Sequence, residues 1–316
     1  MIKLIIKRII QAIPMLLFVS IVSFMLIQLA PGDPVEAFVT PKMSPADIER
    51  IRHNMGLDRP IIIQYFMWIK NIFKGDFGYS YINHRPVLDQ IMERLPATVG
   101  LGGASLIMAL IVSIPLGLIA GVNKNKFIDN VLNIISYIGI SIPSFWFAMM
   151  LIYIFSLKLN LLPSMGMHTI GVNSFGDVIK HGIMPCIVLS FGNISEIMRY
   201  IRSNTISQLG EEYVTIQYAF GSNKTKILFN HILKNVLLPV ITILGMSLPQ
   251  LVAGAFITET VFGWPGMGRL GINAIFSFDY PIIMAITMIS SLLLIVGNLI
   301  ADILYGFVDP RIRDLG

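Results

Sequence analysis

The sequence predicts an all-α protein that crosses a membrane several times. Hydrophobic residues make up 55% of the 316-residue chain and charged residues only 13%, about half of the roughly 25% that soluble domains carry. Six apolar runs reach the roughly 20 residues that a helix needs to cross a bilayer. They occupy residues 9–30, 98–122, 131–157, 183–202, 237–261 and 282–307. We therefore expect a polytopic membrane protein with six transmembrane helices.

The first apolar run follows three basic residues, an arrangement that secretion signals share. Lys3, Lys7 and Arg8 precede it. The run from 9 to 30 is longer than the roughly 7–15 apolar residues of a signal peptide, and no clear small-x-small cleavage site follows it. We expect it to stay in the protein as the first membrane span.

The long loop 31–97 contains a predicted helix in the stretch SPADIERIRHNMGL. Ser44 is placed to cap this helix, Pro45 to occupy its first turn, and Asp47 to face its positive end. Gly56 is placed to end it. A helix of this kind suits either the bilayer surface or a docking surface for an external partner, and the sequence favours neither.

Two more short helices are predicted in the same loop. The stretch IIIQYFMWIKNIFKG has one apolar face and ends at Gly75. That face consists of Ile61, Tyr65, Trp68, Ile69 and Ile72. The stretch PVLDQIMERLP, residues 86–96, is expected to form a separate helix before the second span.

The fourth apolar run is the most polar of the six. It contains Asn193, Glu196 and Arg199, and it ends at Arg202. A charge in the middle of a bilayer costs about 2.5–3.5 kcal/mol on insertion scales. We therefore expect this charged end to reach the lipid headgroups.

Basic residues near the short loops indicate how the spans are oriented. They concentrate before the first span, between spans two and three, between spans four and five, and after span six. These residues are Lys3, Lys7, Arg8, Lys124, Lys126, Arg199, Arg202, Lys224, Lys226, Lys234, Arg311 and Arg313. Because basic short loops stay in the cytoplasm, both termini are expected on the cytoplasmic side.

Signatures of catalysis and metal binding are missing from the sequence. It contains no G-x-x-x-x-G-K-[ST] phosphate loop and no H-E-x-x-H zinc motif. The histidines are not spaced as metal ligands on one helix face, and the single Cys186 has no partner for an internal disulfide. We therefore expect no enzymatic activity and no metal or cofactor site in this chain.

The segment 203–236 is more polar than the spans around it. Glu211 and Glu212 lie in the first turn of a predicted short helix, where acids favour the positive helix end, and Gly221 is placed to end it. Ser222 or Asn223 is placed to cap a second helix. The apolar face of that helix consists of Ile227, Leu228, Ile232, Leu233 and Val236, and its polar side carries Lys224, Lys226 and Lys234. This pattern suits an anionic lipid surface or a turn presented to a cytoplasmic partner, and it leaves both open.

The stretch EYVTIQYAFGSNKTKILFNHILKNVLLPVI resembles the E-A-A…G…I-x-L-P loop of ABC importer permeases, in the form of the oligopeptide and dipeptide branch. The matching residues are Glu212, Tyr213, Val214, Ala219, Gly221, His231, Leu233, Asn235, Leu237, Leu238 and Pro239. Further stretches that resemble this branch lie at residues 13–34, 55–69, 75–81, 85–101, 259–270 and 309–313. The resemblance therefore covers nearly the whole chain.

This resemblance implies the type I ABC importer permease fold and a role as one subunit of an assembly. In such importers two cytoplasmic ATPase subunits use ATP and Mg²⁺, a sister permease completes a heterodimeric pore, and an extracytoplasmic binding protein delivers the substrate. The chain then divides into a first helix with the long loop (1–97), a five-helix core (98–307) with the coupling loop 203–236, and a cytoplasmic tail (308–316).

The resemblance also implies where the ATPase is contacted. The coupling residues are expected to be Glu212, Tyr213, Tyr218, Ala219, Phe220, Gly221, Ser222, Asn223 and Lys224. Tyr218 and Phe220 depart from the small and basic residues that are usual in this loop. Residues 215–217 read Thr-Ile-Gln where the plainest form of the motif has E-A-A.

The expected function is import of oligopeptides or dipeptides across the bacterial cytoplasmic membrane by alternating access. Asn193, Ser247 and Gln250 are candidate pathway residues, because they are polar residues within predicted spans. A nickel or opine importer of the same family is the first alternative.

A rival of another class is a secondary transporter coupled to protons or sodium. Such transporters need acids within the membrane, and Glu259 and Asp302 are the candidates. Glu259 has a second interpretation, in which it caps a packed interface with the FGWPGMG turn that follows it. A structural scaffold is a third possibility, and the full-length resemblance argues against it.

Overall fold

A computed structural model describes residues 2–29, 35, 39, 43–54, 56–172, 174–237, 240 and 255–308. Within these ranges the regular structure is helical, and the only extended pairing is an isolated antiparallel bridge between Tyr79 and Pro86. The predicted all-α class is confirmed.

The helices follow the predicted apolar runs, and most extend beyond them. In chain order they are α1 (Ile2–Gln28), α2 (Pro45–Asn54), α3 (Ile61–Phe73), α4 (Val87–Val122), α5 (Phe127–Ser141), α6 (Ser144–Leu151), α7 (Phe175–Leu209), α8 (Glu212–Ala219), α9 (Lys224–Ile227), α10 (Phe256–Val261), α11 (Met267–Phe276) and α12 (Tyr280–Val308). Two π-helical stretches, Ile152–Lys158 and Leu228–Ile232, continue α6 and α9.

Three of the described helices are long and apolar enough to cross a membrane, namely α4, α7 and the Tyr280–Ile300 part of α12. A fourth is obtained if α5 and the extended α6 count as one bent span. The described apolar part of α1, Ile10–Leu26, is shorter, and most of the predicted span 237–261 lies outside the described residues. The number of six spans therefore stays a prediction.

The third predicted span is not one straight helix. α5 ends at Ser141, α6 begins at Ser144, and their axes differ by 104°. Pro143 explains the break, because the residue before a proline is pushed out of the helical conformation. Ile142 is indeed extended, with φ −76° and ψ 124°. The prediction of a continuous helix over 131–157 is wrong.

The helix predicted at 86–96 is wrong as a separate element. α4 runs without interruption from Val87 to Val122 and contains both Pro96 and Pro115. A proline inside a helix removes one hydrogen bond, but the turns before Pro96 are held by packing. Val87 and Ile91 are fully buried in a cluster with residues of α11 and α12. The amphipathic stretch 86–96 is therefore the packed beginning of a long helix.

α4 and α7 pack closely through two glycines of α4. A Cβ at Gly117 would lie 2.7 Å from Ile201 Cβ, and a Cβ at Gly121 would lie 2.5 Å from Thr205 Cβ. Their four-residue spacing places both glycines on one helix face, as in small-residue contacts between membrane helices. One face of α7 is thereby buried against α4.

A buried ion pair fixes the start of α5 to α7. Arg202 donates from Nε to Asp129 Oδ1 (2.5 Å) and from Nη2 to Asp129 Oδ2 (2.7 Å). The backbone N–H of Asn125 (2.8 Å) and the Nδ2 of Asn133 (3.0 Å) also donate to this carboxylate. Asp129 is fully buried. Its charge is thus satisfied entirely inside the protein.

The first loop helix, α2, begins as the sequence predicts. The backbone N–H of Ser44 donates to Asp47 Oδ2 (3.1 Å), and the backbone N–H of Asp47 donates back to Ser44 Oγ (3.3 Å). This reciprocal pair is a capping box. Ser44 Oγ also donates to Asp47 Oδ2 (2.7 Å). The hydrogen bond from the Ser44 side chain, followed by that from its backbone, lowers the pKa of the Asp47 carboxyl. Gly56 follows the helix with φ +69°, as predicted for the residue that ends it.

The second loop helix, α3, docks on α1 through aromatic side chains. The rings of Tyr65 and Trp68 lie 5.5 and 5.8 Å from that of Phe24, and the Tyr65 hydroxyl is 2.8 Å from Ser20 Oγ. The predicted apolar face is half-buried except at Ile61, which is exposed. The long loop is therefore anchored to the first helix.

Candidate functional site

The segment 212–224 forms a short helix, a sharp turn and the start of a second helix. α8 ends at Ala219, and Gly221 follows with φ +79°. The backbone N–H of Gly221 donates to Tyr218 O (3.0 Å), and that of Ser222 donates to Gln217 O (3.0 Å). A left-handed residue directly after a helix is the position that glycine fills best. The predicted role of Gly221 as the helix stop is confirmed.

The second helix begins with the cap that the sequence predicts. Asn223 Oδ1 accepts the backbone N–H of Lys226 at 2.8 Å. Lys224, Lys226 and Lys234 are exposed, as expected from the pattern. The predicted apolar face is inside, with Ile227, Ile232 and Val236 fully buried and Leu228 and Leu233 packed against them. This cluster also includes residues of α4 and α7, so the second helix is fixed to the two longest helices.

A polar network holds α8 against the end of α7. The Tyr213 hydroxyl donates to Gln208 Oε1 (2.8 Å), and Asn235 Nδ2 donates to the same oxygen (2.9 Å). Val214 is buried beside this network. Among the residues predicted to contact a partner, Tyr213 therefore supports the turn from inside, since its side chain is half-buried and hydrogen-bonded.

The outer side of the turn carries large apolar side chains. Phe220 is 82% exposed, Ile216 is 51% exposed and Tyr218 is 46% exposed. The other predicted contact residues around them, Glu212, Ala219, Asn223 and Lys224, are exposed as well, whereas Ser222 is half-buried. Exposed large apolar side chains with polar neighbours are candidates for contact with a partner when they form a patch. We call Ile216, Tyr218 and Phe220 the apolar tip.

One predicted pathway residue, Asn193, lies in a cleft beside the break between α5 and α6. The cleft has a volume of about 400 Å³, and its lining includes Phe147, Gly192 and Phe256. Asn193 Nδ2 donates to Leu189 O (3.2 Å). We call this the hinge cleft. The other two predicted pathway residues, Ser247 and Gln250, lie outside the described residues.

A second cleft, which the sequence reasoning did not single out, lies one to two turns further along α7. It has a volume of about 440 Å³ and is lined by Asn133, Tyr137, Glu196, Arg199, Tyr200, Arg202 and Ser203. The Arg199 guanidinium lies 4.9 Å from the centre of the Tyr137 ring, within the range of a cation–π interaction. The signal that predicts this cleft is the spacing of Glu196, Arg199 and Ser203, which places them on one face of α7. We call it the charged cleft.

Glu259 is buried in a network that joins α4, α10 and α11. Its side chain accepts hydrogen bonds from Thr98 Oγ1 (2.8 Å) and from the backbone N–H of Arg269 (3.1 Å). Thr98 Oγ1 in turn accepts the backbone N–H of Met267 (2.7 Å). The site has no room for a side chain at Gly266, because a Cβ there would clash with the Glu259 carboxylate. Glu259 therefore caps the start of α11, in agreement with the interface interpretation.

The other residues that could bind a metal or a coupling ion do not form a binding site in the described part of the chain. Within it, no three His, Cys, Asp or Glu side chains lie close enough to hold a metal ion together. His181 is buried and lies 3.1 Å from Gly166 O and 3.2 Å from Thr169 Oγ1. The side chain of Asp302, the second acid of the ion-coupled interpretation, lies outside the described residues.

Comparisons with known proteins match the whole chain. The family model of the binding-protein-dependent transport system inner membrane component matches residues 113–314, and the model of its N-terminal part matches residues 1–102. The oligopeptide transport system permease protein AppB of Bacillus subtilis (strain 168) is 42% identical over 311 residues, which is 98% of each chain. The glutathione transport system permease protein GsiC of Escherichia coli (strain K12) is 35% identical over 313 residues, which is 99% of each chain.

A solved structure shares the fold. An inward-facing conformation of the MetNI methionine ABC transporter superposes with a TM-score of 0.56 and 15% identity, over 69% of this chain and 96% of that one. At this identity the likeness shows the fold alone. It is the permease fold that the sequence resemblance implied.

Proposed function

Because this chain belongs to the family of binding-protein-dependent transport system inner membrane components, we propose that it is the permease subunit of an importer that takes up peptides with energy from ATP. The family is a membrane transport component, so ATP and Mg²⁺ are used by separate ATPase subunits. Peptides are the proposed cargo because the relatives named above are permeases for oligopeptides and for glutathione.

The observation that carries the coupling role is the apolar tip. Phe220 is 82% exposed, yet the turn that presents it is fixed by the Gly221 conformation, the Asn223 cap and the buried face of the second helix. Burial of one large apolar side chain contributes about 1.5–3 kcal/mol. A rigid turn with a free aromatic group therefore supports insertion into a groove of the ATPase.

Packed contacts connect the turn to the membrane helices, so a movement of the turn is transmitted to them. The helix after the turn shares its buried cluster with α4 and α7, and Asp129 and Arg202 connect α7 to α5. We propose that these helices move together when the two ATPases close, which alternates access between the two sides of the membrane. The bend between α5 and α6 lies where such a movement would open the hinge cleft.

The complete assembly is proposed to contain a sister permease and an extracytoplasmic binding protein. The distribution of basic residues supports a cytoplasmic position for both termini and for the apolar tip. The long loop then lies on the opposite side, where it is the largest described feature available to a binding protein.

The test is to tag this chain, extract it gently from its native membrane and identify the proteins that accompany it. We expect a permease of similar size and one or two ATPases with phosphate-binding loops. Addition of a peptide-loaded binding protein should then raise ATP hydrolysis by the purified complex. A metal-loaded binding protein that stimulates hydrolysis in place of the peptide-loaded one would support the nickel alternative.

A pair of matched variants tests the apolar tip in the same preparation. Phe220→Asp should lose the ATPases, whereas Phe73→Asp, at an equally exposed phenylalanine at the end of α3 (85% exposed), should retain them. Retention of the ATPases by both variants would contradict the coupling role. Isolation of the chain alone, with transport in vesicles that lack ATP, would replace the proposal with the secondary-transporter interpretation.

A further inference from the structure

The face of α7 that points away from α4 is polar, and the described residues leave it exposed. Residues at positions 192, 196, 199, 203 and 207 follow each other at intervals of three or four, and all five are exposed. The opposite face is buried, with Ile197, Met198, Ile201 and Thr205 inside. A helix with this division packs one side against the described part of its own fold and leaves the other side to water, lipid headgroups or further protein.

The depth of the charged residues on this face limits what can cover it. Glu196 lies 13 residues and Ser203 six residues before the end of α7 at Leu209, which corresponds to about 20 Å and about 9 Å along the helix. Because α7 has 35 residues, about 52 Å, it is longer than the roughly 30 Å hydrocarbon core, and its charged end is expected at the headgroups. At this depth Glu196 and Arg199 face headgroups, water or protein, because exposure to the lipid core is costly.

Within the described part of the chain, Glu196 forms no hydrogen bond or ion pair, and Arg199 is not paired with an acid. Arg199 lies over the Tyr137 ring, and the N–H donors at the edge of its guanidinium form no hydrogen bond with another described residue. Among these residues, the charged cleft therefore holds one acid and one base, about one helical turn apart, without an ion pair between them.

The two clefts lie on successive turns of α7. The hinge cleft, of about 400 Å³, includes Gly192 and Asn193, and the charged cleft, of about 440 Å³, begins at Glu196 on the following turn. A substrate that passes along α7 from the bend at Pro143 toward the end of the helix would meet the hinge cleft first and the charged cleft next.

We propose that the charged cleft binds the two ends of the transported peptide, with Glu196 receiving the N-terminal ammonium and Arg199 the C-terminal carboxylate. This inference rests on the proposed function and assigns specificity-determining residues to it. The spacing fits a short peptide: side chains three residues apart on a helix have Cβ atoms about 5–6 Å apart, and an extended dipeptide spans roughly 7 Å. Arg is suited to a carboxylate because its planar donors bind both oxygens.

The experiment compares uptake of one short peptide in three forms: free, N-acetylated and C-amidated. The complete complex is placed in liposomes, and the binding protein is supplied at saturating load for each form, with loading measured separately. The selectivity of the binding protein among the three peptide forms then does not affect the comparison. The wild-type permease should prefer the free peptide over both modified forms.

The variants should lose this preference one end at a time. Glu196→Gln should reduce discrimination against the N-acetylated peptide about tenfold and leave discrimination against the C-amidated peptide unchanged, because a charged hydrogen bond is lost at one end only. Arg199→Gln should do the reverse, and Arg199→Lys should retain most of the wild-type preference. Ser207→Ala, on the same face beyond the cleft, is the matched control and should change neither ratio.

Several outcomes would overturn the inference. One is that both ratios stay at the wild-type value in Glu196→Gln and Arg199→Gln. Another is that both ratios change equally in each variant. A third is that these variants lose the sister permease during purification, which would make the face a subunit interface. If the wild-type complex transports no peptide at all, the proposed function itself has failed, and that result is distinguishable from the others.

Discussion

At Gly221 a single backbone angle sets the turn that presents Phe220. The φ of Gly221 is +79°, and a Cβ at this position would meet no atom within 4 Å. A substitution is therefore penalised by the backbone conformation alone, by roughly 1–2 kcal/mol for an ordinary residue. Asn tolerates this region better than Ala, and β-branched residues tolerate it least.

We expect the affinity of the purified permease pair for its ATPases to fall in the order Gly221→Asn, Gly221→Ala, Gly221→Val, with the valine variant weakest by about tenfold. The change alters the direction of Phe220, while the membrane helices are untouched. Gly75 is the matched control, because it also has a positive φ, +80°, and no atom within 4 Å of a Cβ. Equal losses for Gly75→Val and Gly221→Val would show that strain as such, and not the turn, is responsible.

A variant of Glu259 can distinguish an acid that takes part in ion transport from an acid that stabilises the fold. Glu259 is 1% exposed and accepts hydrogen bonds from Thr98 and from the backbone of Arg269. Glu259→Gln places an amide where two donors converge, so at least one bond is lost. The expected cost is about 1–3 kcal/mol, seen as a lower melting temperature of the detergent-solubilised protein.

Transport by the folded fraction of the Glu259→Gln protein should continue and should depend on ATP. Thr98→Ala removes the partner of the same bond and should lower the melting temperature by a similar amount. An ion-coupled transporter would behave differently: its Glu259→Gln variant would stop transporting at an unchanged melting temperature. That result would refute the capping role.

Contacts between residues that are far apart in the sequence hold the helices to one another. Asp129 and Arg202 are 73 residues apart, and together they tie α5 to α7. Removing one partner of a buried pair leaves the other charge without compensation and costs up to about 3–5 kcal/mol. Because the Arg202 side chain is 24% exposed, we expect a loss near the lower end of this range for Asp129→Ala.

The pair should show clear coupling in a double-mutant cycle. Asp129→Ala and Arg202→Ala together should destabilise the protein less than the sum of the single variants, by roughly 1–3 kcal/mol of interaction energy, measured by thermal unfolding in detergent. The control is Arg85 with Glu93, whose ion pair has the same 2.5 Å separation but side chains that are 51% and 56% exposed. No measurable coupling is expected there. Additive effects for Asp129 and Arg202 would contradict a shared role.

Elements with local signals were predictable from the sequence. Ser44 with Asp47, and Asn223 before Lys224, mark helix starts because the capping atoms lie within three residues of the groups they satisfy. Gly221 marks a helix end for an equally local reason. The break at Pro143 also has a local signal, but the apolar character of the whole run concealed it, since hydropathy reports burial and not helix continuity.

Contacts across the chain were not predictable in this way. Thr98 and Glu259 are 161 residues apart, and no periodicity or cap relates them. The charged cleft is an intermediate case: the spacing of Glu196, Arg199 and Ser203 shows a shared face, but only the fold shows that α4 covers the opposite face. The partial burial of Tyr213 was also not predictable from local pattern, because its hydroxyl contacts Gln208 and Asn235, which belong to two other segments.

At the scale of the whole molecule, the described part of the long loop forms a platform that is attached to the helices at two places. α3 is anchored on α1 by the contacts of Tyr65 and Trp68 with Phe24. A second anchor joins the loop to the start of α12, where Asp279 accepts hydrogen bonds from Ser80 Oγ (2.5 Å) and the backbone N–H of Tyr81 (3.1 Å). α2 belongs to this platform, and none of its residues is buried.

We expect α2 to contact the binding protein, and two kinds of variant test this. Deletion of residues 44–56 should weaken binding of the binding protein to the reconstituted complex by at least tenfold, because the exposed charges of α2 are removed. Since a deletion can also disturb the anchors of the loop, a double charge reversal, Glu49→Lys with Arg50→Glu, changes two exposed positions only and should weaken binding in the same direction. It replaces the ion pairs with Arg52 and Asp47 by like-charge pairs, which costs the helix about 0.2–0.5 kcal/mol each. Titration of labelled binding protein measures both.

Salt dependence separates a charged docking surface from an indirect effect. Contacts between exposed charges are screened over about 10 Å at 0.1 M ionic strength, so the difference between the wild type and the reversal variant should shrink as salt is raised. ATPase retention should stay at the wild-type level in both variants, because neither changes a residue of the coupling loop 203–236. Unchanged affinity and unchanged transport in both would show that the platform serves another purpose, and the search for the docking surface would move to the sister permease.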